Sequence, residues 1–309
     1  MKPQDSKTPT HSSSQIQESD IANESLESLL ARLETSAAQE EDTAFSHKKL
    51  KDIIVNLEKD IADGSWISAY YADIDLRMMP NLVKQANHKY PEMNLKLAMN
   101  PEDLSLLIKG AIDNGVQSSR YIVNTGTSRI HFAAIDHQTV DNKTSLILLE
   151  PTTFNNMSAA LLGLRTRQAI EDCQLPHCHF SMAELDIQRS SSECGILSLA
   201  LAKKLYLESE KLTKMHKDNI DGILCEPDTP LSSKKLDTYL PASFYKHTQG
   251  RKRLKEYMEL NPETENTKVN KKDETLRERF DKNLVTTEEK TISVSPHRKR
   301  VTEYKSLMM

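Results

Sequence analysis

No stretch of this 309-residue sequence approaches the ~18 consecutive apolar residues of a membrane-spanning helix. Its first twenty residues, MKPQDSKTPTHSSSQIQESD, lack the apolar centre of a signal peptide. A membrane span is therefore not expected, and a protein of this kind that leaves its cell would not use the general secretory route. Cysteine is scarce: the four thiols at 173, 178, 194 and 225 include no CxxC pair, in a chain too long to need disulfide staples, which favours a reducing compartment. A formal net charge of only −4 makes no claim on nucleic acid. No internal repeat is apparent.

The small net charge hides an uneven distribution. Residues 1–45 carry three Lys/Arg against nine Asp/Glu, whereas residues 246–309 carry sixteen against eleven, so the acidic end reads as solvated and the basic end as able to hold an anion. Residues 1–22 are rich in Ser, Thr, Gln and Pro and nearly devoid of large apolar groups, which predicts a disordered tail. Leu26, Leu29, Leu30 and Leu33 then predict a short amphipathic helix, followed by a polar interval. Ile53, Ile54, Leu57 and Ile61 form the next helical stripe, closed by Gly64. Asn100, Pro101, Glu102 and Asp103 supply an N-cap, a first-turn proline and first-turn acids ahead of Leu104, Leu107, Ile108 and Ile112.

Three strand-like runs follow, over 120–124, 130–136 and 144–150, the last two separated by an Asp-Asn turn at 141–142 that predicts an antiparallel hairpin. A helix over 157–173, a strand over 179–187 and a strongly apolar helix over 195–208 complete the pattern. The order points to an α+β fold with a mixed sheet. The expected division is a leader with a short helix over 1–45, a catalytic core over 46–225 and a basic C-terminal lobe over 226–309 packed on that core.

Within this frame Cys194 follows a polar run and opens the apolar helix, where the peptide dipoles favour a thiolate. It can also be read as a small core residue behind a serine cap. His131 begins one strand of the hairpin and Glu150 ends the other, so the hairpin would bring them to one end, where a carboxylate orients an imidazole and the imidazole takes the thiol proton. Singly, each also reads as an ordinary polar strand end. Gln188, six residues before Cys194, is a candidate amide donor to an oxyanion. His177, Cys178 and His179 make no expected metal site, because strand alternation points Cys178 away from both histidines and no fourth ligand is in sight.

His131-Phe132, the strand ending Glu150-Pro151, and the run Asp186 to Ile196 (DIQRSSSECGI) resemble the YopJ/AvrRxv effector family, whose order of residues is also that of adenain-type ubiquitin-like-protein proteases. The segments Leu199–Lys204, Phe244–Gly250 and Val269–Lys272 extend the resemblance over roughly residues 50–309. It implies a cysteine-protease-like core working as a serine/threonine (and lysine) acetyltransferase, with acetyl-CoA as donor and inositol hexakisphosphate as host-supplied activator. It further implies delivery by a type III secretion system, with a secretion chaperone as a candidate partner, and action in the host cytoplasm on mitogen-activated protein kinase kinases or related kinases. Three basic clusters, Lys246 with His247, Lys271 with Lys272, and His297 with Arg298, Lys299 and Arg300, read as solvated faces if apart and as a polyphosphate pocket if folded together. The resemblance favours the pocket.

Two rivals remain at the level of sequence. The same triad serves a deubiquitinating or desumoylating protease, and a binding-only effector would sequester a kinase without chemistry. The basic clusters favour the transferase, which has phosphate-rich ligands to hold. Because residues 1–22 have nothing to bury, their deletion is expected to leave the thermal unfolding transition and in vitro activity unchanged while delivery from the bacterium fails. Circular dichroism showing loss of the folded transition would assign the tail a structural role.

Overall fold

The computed structural model describes residues 47–126, 130–286 and 290–308, and the chain divides into two compact units, 1–53 and 54–309. In the first unit, residues 47–53 are helical; the tail and the helix expected around Leu26–Leu33 lie outside the described residues. Among the described residues no helix is long and apolar enough to cross a membrane.

The second unit opens with helix α1 (54–63), which stops at Gly64, whose φ of 82° is the left-handed conformation that glycine adopts at least cost. Helix α2 (Ala72–Lys89) follows. It buries Met79, Leu82, Val83 and Ala86 at helical spacing, but Pro80 and a run of polar residues mask that stripe in the sequence. Strand β1 (Leu95–Ala98), too short to announce itself, leads to α3 (Pro101–Asp113), where the Asn100 side chain accepts from Asp103 N at 2.7 Å as its spacing predicts.

Strands β2 (Ser118–Asn124), β3 (Phe132–Val140) and β4 (Lys143–Glu150) form a meander, then α4 (Met157–Asp172) crosses over to β5 (Cys178–Glu184). The sheet order is β1-β2-β3-β4-β5, with β1 parallel to β2, β2, β3 and β4 antiparallel, and β4 parallel to β5. The α+β class and mixed sheet are as the order of elements predicts. Strand β5 ends at Glu184 rather than running to 187: Asp186 takes φ 56°, and the chain turns so that Leu185 N donates to Glu150 O.

Helices α3 and α4 cover one face of the sheet, over Tyr121, Val123, Ala133, Ile135, Leu146, Leu148 and Met182. The other face carries α5 (Cys194–Leu207) across β2 and β3 and α6 (Thr213–Ile220) across β4. A buried polar cluster fastens α6: His216 Nδ1 lies 2.8 Å from Ser145 Oγ and His216 Nε2 lies 3.0 Å from Asp136 Oδ2, while Asp136 Oδ1 faces Arg120 Nε at 2.9 Å. This Ser-His-Asp set has the connectivity of a hydrolase triad, but none of the three is solvent-exposed, so it acts as a fastening and not as a site.

The remaining chain wraps this body. Helices α7 (Ser233–Leu236), α8 (Arg251–Leu260) and α9 (Leu276–Lys282) precede a short hairpin of β6 (Leu284–Thr286) and β7 (Thr291–Ser293), and α10 (Ser295–Ser306) runs back against α2 and α5. Buried ionic contacts hold it: Arg253 Nε donates to Leu185 O at 2.8 Å while its Nη1 reaches Asp237 Oδ2 at 2.8 Å. Leu148 has no exposed surface and lies in the layer between the sheet and α3/α4, so Leu148→Ala is expected to cost about 2–5 kcal/mol of unfolding free energy. Urea denaturation checks this, and an unchanged midpoint would place the core elsewhere.

Candidate active site

Two consecutive left-handed residues, Asp141 at φ 50° and Asn142 at φ 61°, close the β3–β4 hairpin, the backbone that a two-residue turn needs to match strand twist. Register then pairs Val140 with Lys143 and Ala134 with Leu149. His131 and Glu150 therefore meet at the open end, His131 Nε2 at 2.9 Å from Glu150 Oε2. The carboxylate has no solvent contact, and its other oxygen accepts from Thr152 N at 2.8 Å and Thr152 Oγ1 at 3.0 Å. Glu150 is thus held by three donors, a part that sequence reasoning gave to no residue but the histidine.

Cys194 is the first residue of α5 and is 2 % exposed. Its sulfur is near enough to His131 to raise the imidazole's pKa, and with Nε2 turned to Glu150 the ring nitrogen left for it is Nδ1. Burial is the strongest influence on the imidazole and works against its charge. The Glu150 charge and the hydrogen bonds to Cys194 and Glu150 together outweigh it, and the His131 pKa is pushed up to about 10. The imidazolium form is the one this site favours, so a proton leaving the thiol has a place to reside.

The loop before Cys194 is clamped from both sides. Pro151 O accepts from Ile187 N at 2.9 Å and Gln188 N at 3.1 Å, tying the loop to the strand end that carries Glu150. Gln249 Oε1 accepts from Arg189 N at 2.6 Å and Ser190 N at 3.0 Å. A Cβ on Gly250 would sit 3.1 Å from Arg189 Nε, so the small residue admits this close approach. The amide nitrogen of Gln188 is turned onto Ser190 O at 2.7 Å, while its buried Oε1 has no hydrogen-bond partner among the described residues. Gln188 is therefore near the nucleophile in sequence but is engaged by its own loop.

Six of the eight predicted basic positions come together. Two adjoining cavities of roughly 480 and 350 Å³ share Lys246, Asn270 and Lys299; Lys271 lines the larger, and His247, Lys272 and Arg298 line the smaller. Lys89, Lys203, Lys204 and Lys268 add to the larger, Arg279 and Lys282 to the smaller. The KK pair at 203–204 lay in plain view on the nucleophile's helix, but only folding shows that it faces the C-terminal clusters. Burial, with Lys204, Lys299 and Arg279 nearby, brings the Lys246 ammonium down to about 7. His247 is held well below its usual range by burial and by Lys246, Arg279, Lys299 and Lys204, and among the described residues its buried Nε2 has no hydrogen-bond partner. His297 and Arg300 do not join them. Arg300 has no exposed surface and points the other way, its Nε 2.8 Å from Asp75 Oδ1, which corrects the expectation that it contributes to an anion pocket.

The raised His131 pKa carries a stability consequence. The contribution is complete below ~6.5, the value of a free imidazole, and it is lost as pH rises through about 10. Glu150→Gln removes the main opposing charge, so burial prevails and the His131 titration midpoint, followed by NMR, is expected to fall toward or below the free value. The loss of stability should be greatest below ~6.5 and shrink as the medium becomes alkaline. A midpoint left near about 10 would show that Glu150 is not what holds the proton.

Comparison with known proteins gives this geometry a context. Residues 50–306 match the family described as YopJ Serine/Threonine acetyltransferase. The serine/threonine-protein acetyltransferase YopJ of Yersinia pestis is 57% identical over 270 residues, 87% of this chain and 94% of that protein. The protein of the same name from Yersinia pseudotuberculosis is 56% identical over the same length. Among solved structures, AvrA delL154 with IP6, CoA superposes with a TM-score of 0.82 at 54% identity, over 85% of this chain and 98% of that one. HopZ1a in complex with IP6 and CoA gives 0.68 at 18% identity, over 82% of this chain and 92% of that one, a likeness of fold alone. The chain belongs to the YopJ serine/threonine acetyltransferase family.

Proposed function

We propose that this protein moves an acetyl group from acetyl-CoA through Cys194 onto serine or threonine, and also lysine, side chains of host mitogen-activated protein kinase kinases or related kinases. The observation that carries the reading is a thiol at a helix start, acting on a buried imidazole that is itself 2.9 Å from a buried carboxylate. In this reading Glu150 fixes the ring and His131 holds the thiol proton. The Cys194 thiolate attacks the thioester carbonyl carbon, a carbon–sulfur bond to Cys194 forms as the one to coenzyme A breaks, and His131 returns its proton to the departing sulfur. The acceptor hydroxyl then gives its proton to His131 as its oxygen takes the acetyl group, and the thiolate is restored. Backbone N–H groups at the start of α5 are the donors best placed for the oxyanion, with Gln188 as a secondary candidate once released from Ser190.

The two cation-lined cavities fit phosphate-rich ligands. Lys246, Lys271, Lys272 and Arg298 have no carboxylate within ion-pair distance among the described residues, so the site holds more positive charge than its own acids balance. Lys246, His247, Lys271, Lys272, Arg298 and Lys299 would hold inositol hexakisphosphate and the phosphates of acetyl-CoA between them, the former supplying the negative charge that lets these cations stay together. AvrA delL154, 54% identical, is described with IP6 and CoA, which supports ligands of this chemistry for this chain. Residues 226–309 then act as the regulatory part of the molecule. Delivery by a type III system, with a chaperone, and action in host cytoplasm complete the reading. Acetylating an activation-loop hydroxyl would block its phosphorylation.

Intact-mass analysis of a purified kinase kinase incubated with the protein, acetyl-CoA and inositol hexakisphosphate tests the transfer. A gain of ~42 Da per acetyl group is expected, and hydrolysed substrate without that gain would favour a protease. Cys194→Ala, His131→Ala and Glu150→Ala should each abolish transfer, with a double variant losing little more than a single one. Transfer retained in Cys194→Ala would remove the mechanism.

Ligand binding should also depend on pH. Burial and neighbouring cations hold the Lys246 ammonium down to about 7, and a polyanion would raise that value, so binding takes up protons and weakens as pH rises above about 7. Calorimetry in two buffers of different ionisation enthalpy checks this for inositol hexakisphosphate, and Arg298→Glu should lower both affinity and transfer. An affinity independent of pH would separate Lys246 from the site.

A further inference from the structure

Behind the nucleophile lies an ionic cluster with no part in acyl transfer as described above. Arg300, on α10, has no exposed surface. Its Nε and Nη2 donate to Asp75 Oδ1 and Oδ2 at 2.8 and 3.0 Å, and Nη2 also donates to Ser192 O at 2.8 Å. Nη1 donates to His297 Nδ1 at 3.0 Å, and the guanidinium lies over the Tyr71 ring, 4.7 Å from its centroid. Tyr304, one turn further along α10, donates to Asp75 Oδ1 at 2.7 Å. Such a set would be no more than a staple were it not for its position.

Ser192 and Glu193 are the two residues that precede Cys194, and Glu193 occupies the N-cap position of its helix without a side-chain capping bond. The Glu193 carboxylate is fully buried, with Oε2 at 2.8 Å from Arg300 Nη2, but among the described residues neither oxygen has an aligned hydrogen-bond donor. This is a contact of charges. Burial and the nearby Asp75 push the Glu193 carboxyl up, and Arg300 is the group that opposes them. A Cβ on Gly195 would stand 3.0 Å from Asp75, so the start of α5 is pressed against the same cluster from its other side.

Helix α10 has a second face. Arg298, Lys299 and Thr302 line the smaller cation cavity and Glu303 the larger, whereas His297, Arg300 and Tyr304 point inward at one-turn spacing. One 12-residue helix therefore carries both the anion-facing cations and the guanidinium that grips the residues before the nucleophile. We propose that Arg300 is a positioning residue for Cys194, holding the 192–193 backbone at the start of α5, and that it transmits polyanion capture by Arg298 and Lys299 to the nucleophile. The inference rests on the acetyl-transfer reading and adds the path by which the cation cavity reaches its chemistry.

Arg300→Lys in the full chain tests it, since lysine keeps the charge but has no fork to serve Asp75, Ser192 and Glu193 together. Three readouts are taken: inositol hexakisphosphate affinity by calorimetry, acetyl transfer, and the rate at which iodoacetamide alkylates Cys194 with and without inositol hexakisphosphate. In the natural protein the alkylation rate should change at least about threefold on adding the polyanion; in Arg300→Lys that response should vanish and kcat should fall about tenfold or more, with affinity held within about threefold. A staple that served only stability would lower the melting temperature and leave the response intact. If Arg300→Lys fails to fold, Glu193→Gln removes the charge beside Cys194 and keeps the Asp75 fork, and the same loss of response is expected. A natural-sized response in either folded variant overturns the inference and leaves acetyl transfer standing. No response in the natural protein overturns the transmission alone, and no acetyl transfer in the natural protein overturns the reading on which both rest.

Discussion

Glu150 is a carboxylate with no contact to water at the end of an apolar strand, and leaving it unpaired there would cost several kcal/mol. Its two oxygens are met by Thr152 through backbone and hydroxyl and by the His131 ring. That demand is what fixes the ring. An imidazole held by its Nε2 presents Nδ1 in one direction, and in this fold the thiol is carried by the first residue of α5. The sheet's open end, the 187–193 loop and the first turn of α5 are arranged around this requirement, and the clamps from Pro151 O and Gln249 keep them there.

Local chemistry decided which parts of this could be read before folding. Two residues at 141–142 that tolerate left-handed backbone, flanked by apolar strands, predict the hairpin and with it the meeting of His131 and Glu150. Asn100 before Pro101 predicts α3 in the same local way. Helix α2 escaped because its buried stripe of Met79, Leu82, Val83 and Ala86 is interrupted by Pro80 and embedded in polar residues; its stability comes from what it packs against. Strand β1 is four residues long, below the length at which alternation carries information. Gln249 and Thr152 went unassigned for a related reason, since a residue whose task is to hold another's backbone has no composition that marks it.

The fate of the basic residues shows the same division between local and global information. The sequence displays them as clusters, but whether a cluster is a solvated face or a pocket depends on contacts between residues some forty to two hundred positions apart. Lys89 and Lys203 come from helices of the core, Lys271 and Arg298 from the chain that wraps it, and all border the same cavities. No local pattern encodes such an encounter. The neighbours 298, 299 and 300 diverge because a helix advances about 100° per residue, so adjacent side chains serve different faces.

Charge balance separates two kinds of cation in this fold, the sealed guanidiniums and a half-buried ammonium. Arg300 meets Asp75 and Glu193, and Arg253 meets Asp237, so each guanidinium brings its own counter-charge and can be sealed from water. Lys246 has no such partner among the described residues; Lys204, Lys299 and Arg279 crowd it, and its proton is held so weakly that it leaves near about 7. A folded protein tolerates an unbalanced cavity of this kind when the missing charge arrives from outside, because the ligand's binding free energy offsets the repulsion that the fold would otherwise carry. The matched guanidiniums are therefore part of the scaffold, whereas the mismatched ammonium and its neighbours leave a surplus of positive charge. The same criterion moves Arg300 out of the ligand set into which its position in a basic run had put it.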